Sequence, residues 1–155
     1  MQAVVGHDDR RPQGGLTFGG HPAAAAVALA NLDIIEVEDL PGRVRDHATQ
    51  FRAALATLCD LPIVADLRGD GYFLALELDA DSPSDPAKAK AHATAVSKFL
   101  TKRTYKLGLT CRAAARGAEP VIQLSPPLIA GPQQFDEIVT ATRVALVDAM
   151  GEFDL

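Results

Sequence analysis

The stretch Gly15-Leu16-Thr17-Phe18-Gly19-Gly20-His21-Pro22, with the alanine-rich run behind it, constrains this 155-residue chain more than any other feature. Glycines leave backbone N–H groups open around the hydroxyl of Thr17. Pro22 then suits the first position of a helix, where its missing N–H costs nothing. Free N–H groups and the helix dipole make such a turn a ready anion site, although a Gly/Thr turn of this kind can equally do no more than redirect the chain. The helix that follows, Pro22 to Val37, carries apolar residues on every face, Val27, Leu29, Leu32, Ile34 and Ile35 among alanines. A helix of that kind requires cover on most sides, so an exposed apolar patch or a shared interface is expected.

The remainder alternates helical and strand periods. Leu40-Pro41-Gly42 reads as a break, followed by a second helix to about Asp60 with Val44, Ala48, Phe51, Leu55 and Leu58 on one stripe. Ile63 to Leu67 and Tyr72 to Leu78 read as strands of an antiparallel hairpin turned at Arg68-Gly69-Asp70-Gly71. Along the second strand Tyr72, Leu74, Leu76 and Leu78 share one face. Asp85 can cap a third helix with Pro86 at its first position, running to about Leu107 and stopped by Gly108. Leu109–Ala113 and Val121–Ser125 read as two more strands joined by a loop holding Arg116-Gly117. Gly131-Pro132 opens a last helix with Phe135, Ile138, Val139, Thr142, Leu146, Ala149 and Met150 on its buried side. The expected class is α+β, a small, mainly antiparallel sheet covered by helices on one face.

Three segments in this order resemble the class-III, or omega-type, pyridoxal-phosphate-dependent aminotransferases. They are the Thr17–Pro22 turn with the run to Glu36, Leu67-Arg68-Gly69-Asp70-Gly71 through Leu78, and Gly108-Leu109-Thr110-Cys111-Arg112 with Val121 to Ile129. The resemblance spans roughly Gly15 to Met150 and implies the C-terminal portion of such an enzyme. Residues 1–14 are expected to be disordered or non-matching, 15–39 to form the end of the large domain and a linking helix, and 40–155 to form the C-terminal small domain, as in fold-type I transferases. The parent reaction moves an amino group from an amine or amino acid to a keto acid. It depends on a lysine that forms a Schiff base with the cofactor and lies upstream of the Thr turn. The resemblance therefore implies that this chain alone is inactive and binds no cofactor by itself.

By the same resemblance Thr17 matches a threonine that contacts the cofactor phosphate from a neighbouring subunit, a role its hydroxyl suits because phosphate oxygens only accept hydrogen bonds. Arg112 matches an arginine that pairs with a substrate carboxylate through two parallel bonds. A surface arginine beside an acid is the plain alternative, and Arg116 competes for the same role. Arg68 reads as structural, bonding loop carbonyls. The lysines, Lys88, Lys90, Lys98, Lys102 and Lys106, all fall in the third helix on a solvated pattern, and none matches the family's lysine motif.

Net charge is −5, without the basic stripe of a nucleic-acid binder. No apolar run is long enough to span a bilayer, and residues 1–15 lack the apolar core of a signal peptide, so the cytoplasm is the expected location. Cys59 and Cys111 read as buried free thiols. No histidine pair has metal-ligand spacing, and no metal is expected. The expected partner is a second copy of the chain or a larger aminotransferase subunit. A non-catalytic interaction or dimerisation module is the alternative function, and a small ligand-binding domain unrelated to aminotransferases is a third.

Overall fold

The computed structural model describes residues 19–80 and 83–155. The chain divides into two compact units, one ending at Glu38 and one from Asp39 to Leu155. Within the first, helix α1 spans Pro22–Val37, with Pro22 at its start and the Ala25 N–H bonding back to His21. None of its residues is buried. Val27, Leu29, Leu32, Ile34 and Val37 are exposed, and Ile35 is half-buried.

The second unit runs α2 (Leu40–Ala56), a 3-10 turn (Thr57–Asp60), β1 (Val64–Asp70), β2 (Phe73–Leu78), α3 (Pro86–Lys106), β3 (Arg112–Arg116), β4 (Glu119–Leu124) and α4 (Pro132–Phe153). Leu40-Pro41-Gly42 does not break the chain. It forms the first turn of α2, because Asp39, in a left-handed conformation, caps the helix by accepting the Gly42 N–H at 3.1 Å. Pro41 is tolerated there, where its missing N–H has no helical acceptor. The expected stripe packs inward, with Phe51, Leu55 and Leu58 buried and Val44 partly so. Asp85 caps α3 through the Ala87 and Lys88 N–H groups, as anticipated.

The four strands form one antiparallel sheet in the order β1-β2-β4-β3. The first hairpin turns later than anticipated. Arg68, Gly69 and Asp70 stay in the ladder opposite Ala75, Leu74 and Phe73, and the turn is Gly71-Tyr72. Strands β3 and β4 are also shifted, with β3 starting at Arg112 and ending in a tight Gly117-Ala118 turn. Leu74, Leu76, Leu78, Ile122 and Leu124 alternate onto one face and meet Phe51, Val96, Leu100, Phe135 and Leu146 from the three helices of this unit. The opposite face carries Arg68, Phe73, Ala75, Glu77, Gln123 and Arg112, as their register requires. Cys59 is exposed rather than buried, because the tight 3-10 turn sends Leu58 inward in its place, while Cys111 is half-buried.

Candidate functional site

Cross-strand pairing sets a row Arg68–Ala75–Gln123–Arg112 across the open face of the sheet. At the Arg112 end lies an open groove of about 1380 Å³. Phe73, Leu109 and Ile129 give it apolar walls, and Arg112, Gln123 and Ser125 bring polar groups to it. Pro126 and Pro127 end β4 and turn the chain into the loop that forms one wall. That loop is held from behind. The Tyr72 hydroxyl donates to the Ala130 carbonyl at 3.0 Å, and the Arg43 guanidinium donates to the Ile129 carbonyl at 3.1 Å. The Gly131 N–H bonds the Gln134 side-chain oxygen at 3.0 Å.

The side chain of Arg112 is exposed and makes no hydrogen bond or ion pair with any described residue. Arg116 lies four residues along the same strand face, roughly 13 Å away at about 3.3 Å per residue. It sits opposite Glu119 at the hairpin end and does not line the groove. Of the two candidate arginines, the groove therefore takes Arg112. Thr17 lies outside the described residues. Arg68 is structural, but it bonds side chains rather than loop carbonyls. It reaches Asp66 at 2.9 Å and Glu77 at 2.5 Å, and its hydrogen bond, with that of the Leu67 N–H, holds the Asp66 carboxyl below its ordinary range. The carbonyl role falls to Arg52, which bonds Leu67 and Gly69 from α2 at 2.9 and 3.1 Å.

Cys111 lines the groove with its sulfur 3.6 Å from the Thr104 hydroxyl. Burial pushes its thiol pKa up, against the smaller downward pull of that hydrogen bond, so it is a poor nucleophile. No lysine lines the groove, and all five stand exposed on α3. Among the described residues no three His, Cys, Asp or Glu side chains gather as a metal site. Likewise no helix among them is long and apolar enough to cross a membrane. The residues that sequence reasoning missed are Tyr72, Arg43 and Gln134, which position the wall. Tyr72 alone left a signal, as the one member of a buried apolar stripe with a polar tip that needs a partner.

The family profile described as aminotransferase class-III matches residues 2–146. A "Probable aminotransferase" of Mycobacterium tuberculosis is 44% identical over 134 residues, which is 86% of this chain and 28% of that protein. Among solved structures, a transaminase from the marine bacterium Virgibacillus superposes with a TM-score of 0.75 at 28% identity, covering 92% of this chain and 32% of that one. An omega transaminase from Pseudomonas jessenii, solved in complex with PMP, superposes at 0.71 with 29% identity, covering 86% and 28%. The chain thus spans less than a third of the length of each of these proteins.

Proposed function

This chain belongs to the class-III aminotransferase family, and from that premise we propose that it forms the C-terminal small domain of an amino-group transferase and supplies the grip on the substrate carboxylate. The observation that carries this reading is the guanidinium of Arg112, unpaired among the described residues, at the mouth of a groove with apolar walls. A guanidinium offers two parallel N–H donors to a carboxylate. Gln123, opposite Arg112 in the ladder, adds a second polar group beside it. Tyr72 and Arg43 keep the facing wall in place.

In the parent enzyme pyridoxal phosphate acts as the electron sink for amino transfer. The chain is proposed not to hold it by itself, a reading supported by the absence of any lysine at the groove and by α3 lysines that lack the burial that would make one a nucleophile. Thr17 is proposed as a phosphate contact across a subunit boundary. The 155 residues alone are proposed to be inactive. An exposed thiol at Cys59 suits a reducing compartment such as the cytoplasm.

A chimera tests the carboxylate grip. The matching segment of the Mycobacterium tuberculosis relative is replaced by that of this chain, and amino transfer to a keto acid is compared with transfer to an aldehyde that has no carboxylate. Arg112→Ala is expected to raise KM for the keto acid by about 10- to 100-fold, the loss of a charge-assisted pair of about 1.5–3 kcal/mol. KM for the aldehyde should stay nearly constant. Equal effects on both acceptors would remove the assigned role.

A second reading, an association module, is favoured by α1. Apolar surface left in water costs about 25 cal/mol per Å², and the side chains of Val27, Leu29 and Leu32 are 59–70% exposed. A two-fold homodimer or a larger subunit would cover them, with an interface drawing on Val27, Leu32 and Ile35 in some combination. Light scattering at micromolar concentration should give a mass above 16.4 kDa, and Leu32→Asp should lower it, because a buried lone carboxylate is costly. A wild-type monomer that binds no hydrophobic dye contradicts this reading.

A further inference from the structure

We propose that the outer edge of β3, walled by Lys98 and Lys102 of α3, takes up an extended acidic peptide as an added strand. β3 ends the sheet and pairs only with β4. The two-residue Gly117-Ala118 turn makes Arg116–Glu119 the closing hydrogen-bonded pair, and alternation then directs Arg112, Ala114 and Arg116 toward β4. Pro120, which has no N–H, falls opposite Ala115 at a position where none is needed. The main-chain groups of Ala113 and Ala115 are therefore directed away from the sheet. The Thr101 hydroxyl reaches the Ala113 carbonyl at 3.4 Å, as that direction requires, but its shorter bond of 2.9 Å is to Ser97. At the opposite edge of the sheet, Arg52 occupies the outward carbonyls of Leu67 and Gly69. The β3 edge has no such cover. It opens instead into a groove of about 460 Å³ between Ala113–Ala115 and the α3 side chains Thr94, Ser97, Lys98, Thr101 and Lys102.

The charge on the wall identifies the occupant. α3 carries five lysines and Arg103 and no acid, in a chain whose net charge is −5. Arg103 pairs with Asp148, whereas none of the five ammonium groups has an ion-pair partner among the described residues. Lys98, Lys102 and Lys106 recur at four-residue steps, so like charges face each other along the helix. A glutamate at any of these positions would relieve that repulsion. An acidic partner offsets it instead. Outward main-chain donors and acceptors are matched by another polypeptide backbone, and the groove has no aromatic ring on which a base could stack, so the partner is an extended acidic peptide. Arg112 takes no part, which leaves the amino-transfer reading separate from this one.

The full chain is titrated with a short fluorescein-labelled peptide of alternating Glu and Val, read by fluorescence anisotropy at low salt. Saturable binding is expected, and Lys98→Glu with Lys102→Glu should weaken it by about tenfold, with two attractions lost and two repulsions gained. Ala115→Pro, which removes an outward N–H only, should weaken it while far-UV dichroism is unchanged. Amide exchange in the wild-type chain covers the case in which that variant does not fold. The Ala113 and Ala115 N–H groups should become protected on adding peptide. No saturable binding, equal binding of a Lys/Val peptide, unaltered affinity in the double-lysine variant, or binding without protection of those amides would each overturn the proposal. Equal binding of a single-stranded oligonucleotide would also overturn it.

Discussion

Phe135→Ala is expected to destabilise the Asp39–Leu155 unit by roughly 3–5 kcal/mol, the range for truncating a fully buried phenylalanine. Phe135, on α4, is 1% exposed, and Phe51, on α2, is 0% exposed. Their ring centroids are 4.8 Å apart, and the Tyr72 ring packs edge-on against both, at 5.5 and 5.6 Å. Three elements, α2, α4 and the first hairpin, therefore meet at one aromatic cluster, and none of them can close the cavity without moving the other two. Phe51→Ala should cost a similar amount, and the double variant less than the sum, because the rings touch. Because the Tyr72 hydroxyl also holds the Ala130 carbonyl, either change should loosen the groove wall beside Arg112. Urea denaturation measures the cost, and a change near zero at both sites would mean that the helix faces are assigned wrongly.

Gly69→Ala is expected to cost about 3 kcal/mol or more. Gly69 sits inside β1 with φ at +111°, and an added Cβ would fall 2.1 Å from the Phe73 carbonyl oxygen and 3.0 Å from the Leu74 Cα. Both are main-chain atoms, so no rotamer change relieves the contact, and the β1–β2 pairing must open. Gly71 provides the control. It lies in the turn with φ at +57°, and its added Cβ would meet only Val44 Cγ1, at 3.4 Å. Gly71→Ala should cost about 1 kcal/mol, mostly from backbone conformation. Equal losses in thermal denaturation of the two variants would contradict the hairpin geometry.

These glycines also show where the sequence stopped being informative. In Arg68-Gly69-Asp70-Gly71 either glycine permits a turn, and local chemistry does not choose between them. Register chooses. Pairing Leu67 with Leu76 keeps Leu74, Leu76 and Leu78 on the buried face, which draws Gly69 into the ladder and leaves Gly71 to turn. The bounds of α1 were legible because Pro22 and the alanines act locally, and Asp85-Pro86 marked the start of α3 for the same reason. Pro41 misled because a proline at a helix start and one at a break look alike without the Asp39 cap. Ala113–Ala115 have weak strand preference, so β3 is read early, on the apolar Leu109 and Cys111. Its pairing with β4 moves it to Arg112. Arg112 was legible as a candidate through the family resemblance. That its side chain stands unpaired among the described residues at a groove, with Arg116 outside it, is a fact of three dimensions.

The central claim is a division of labour, in which this chain brings the substrate grip and does not bring the cofactor lysine. Borohydride reduction of the purified chain with pyridoxal phosphate, followed by mass spectrometry of its peptides, tests this most directly. The expected result is no shift in the cofactor's visible absorbance and no specific adduct on Lys88, Lys90, Lys98, Lys102 or Lys106, all of which stand exposed on α3 without the burial that activates a lysine. A stoichiometric adduct on any one of them would contradict the account.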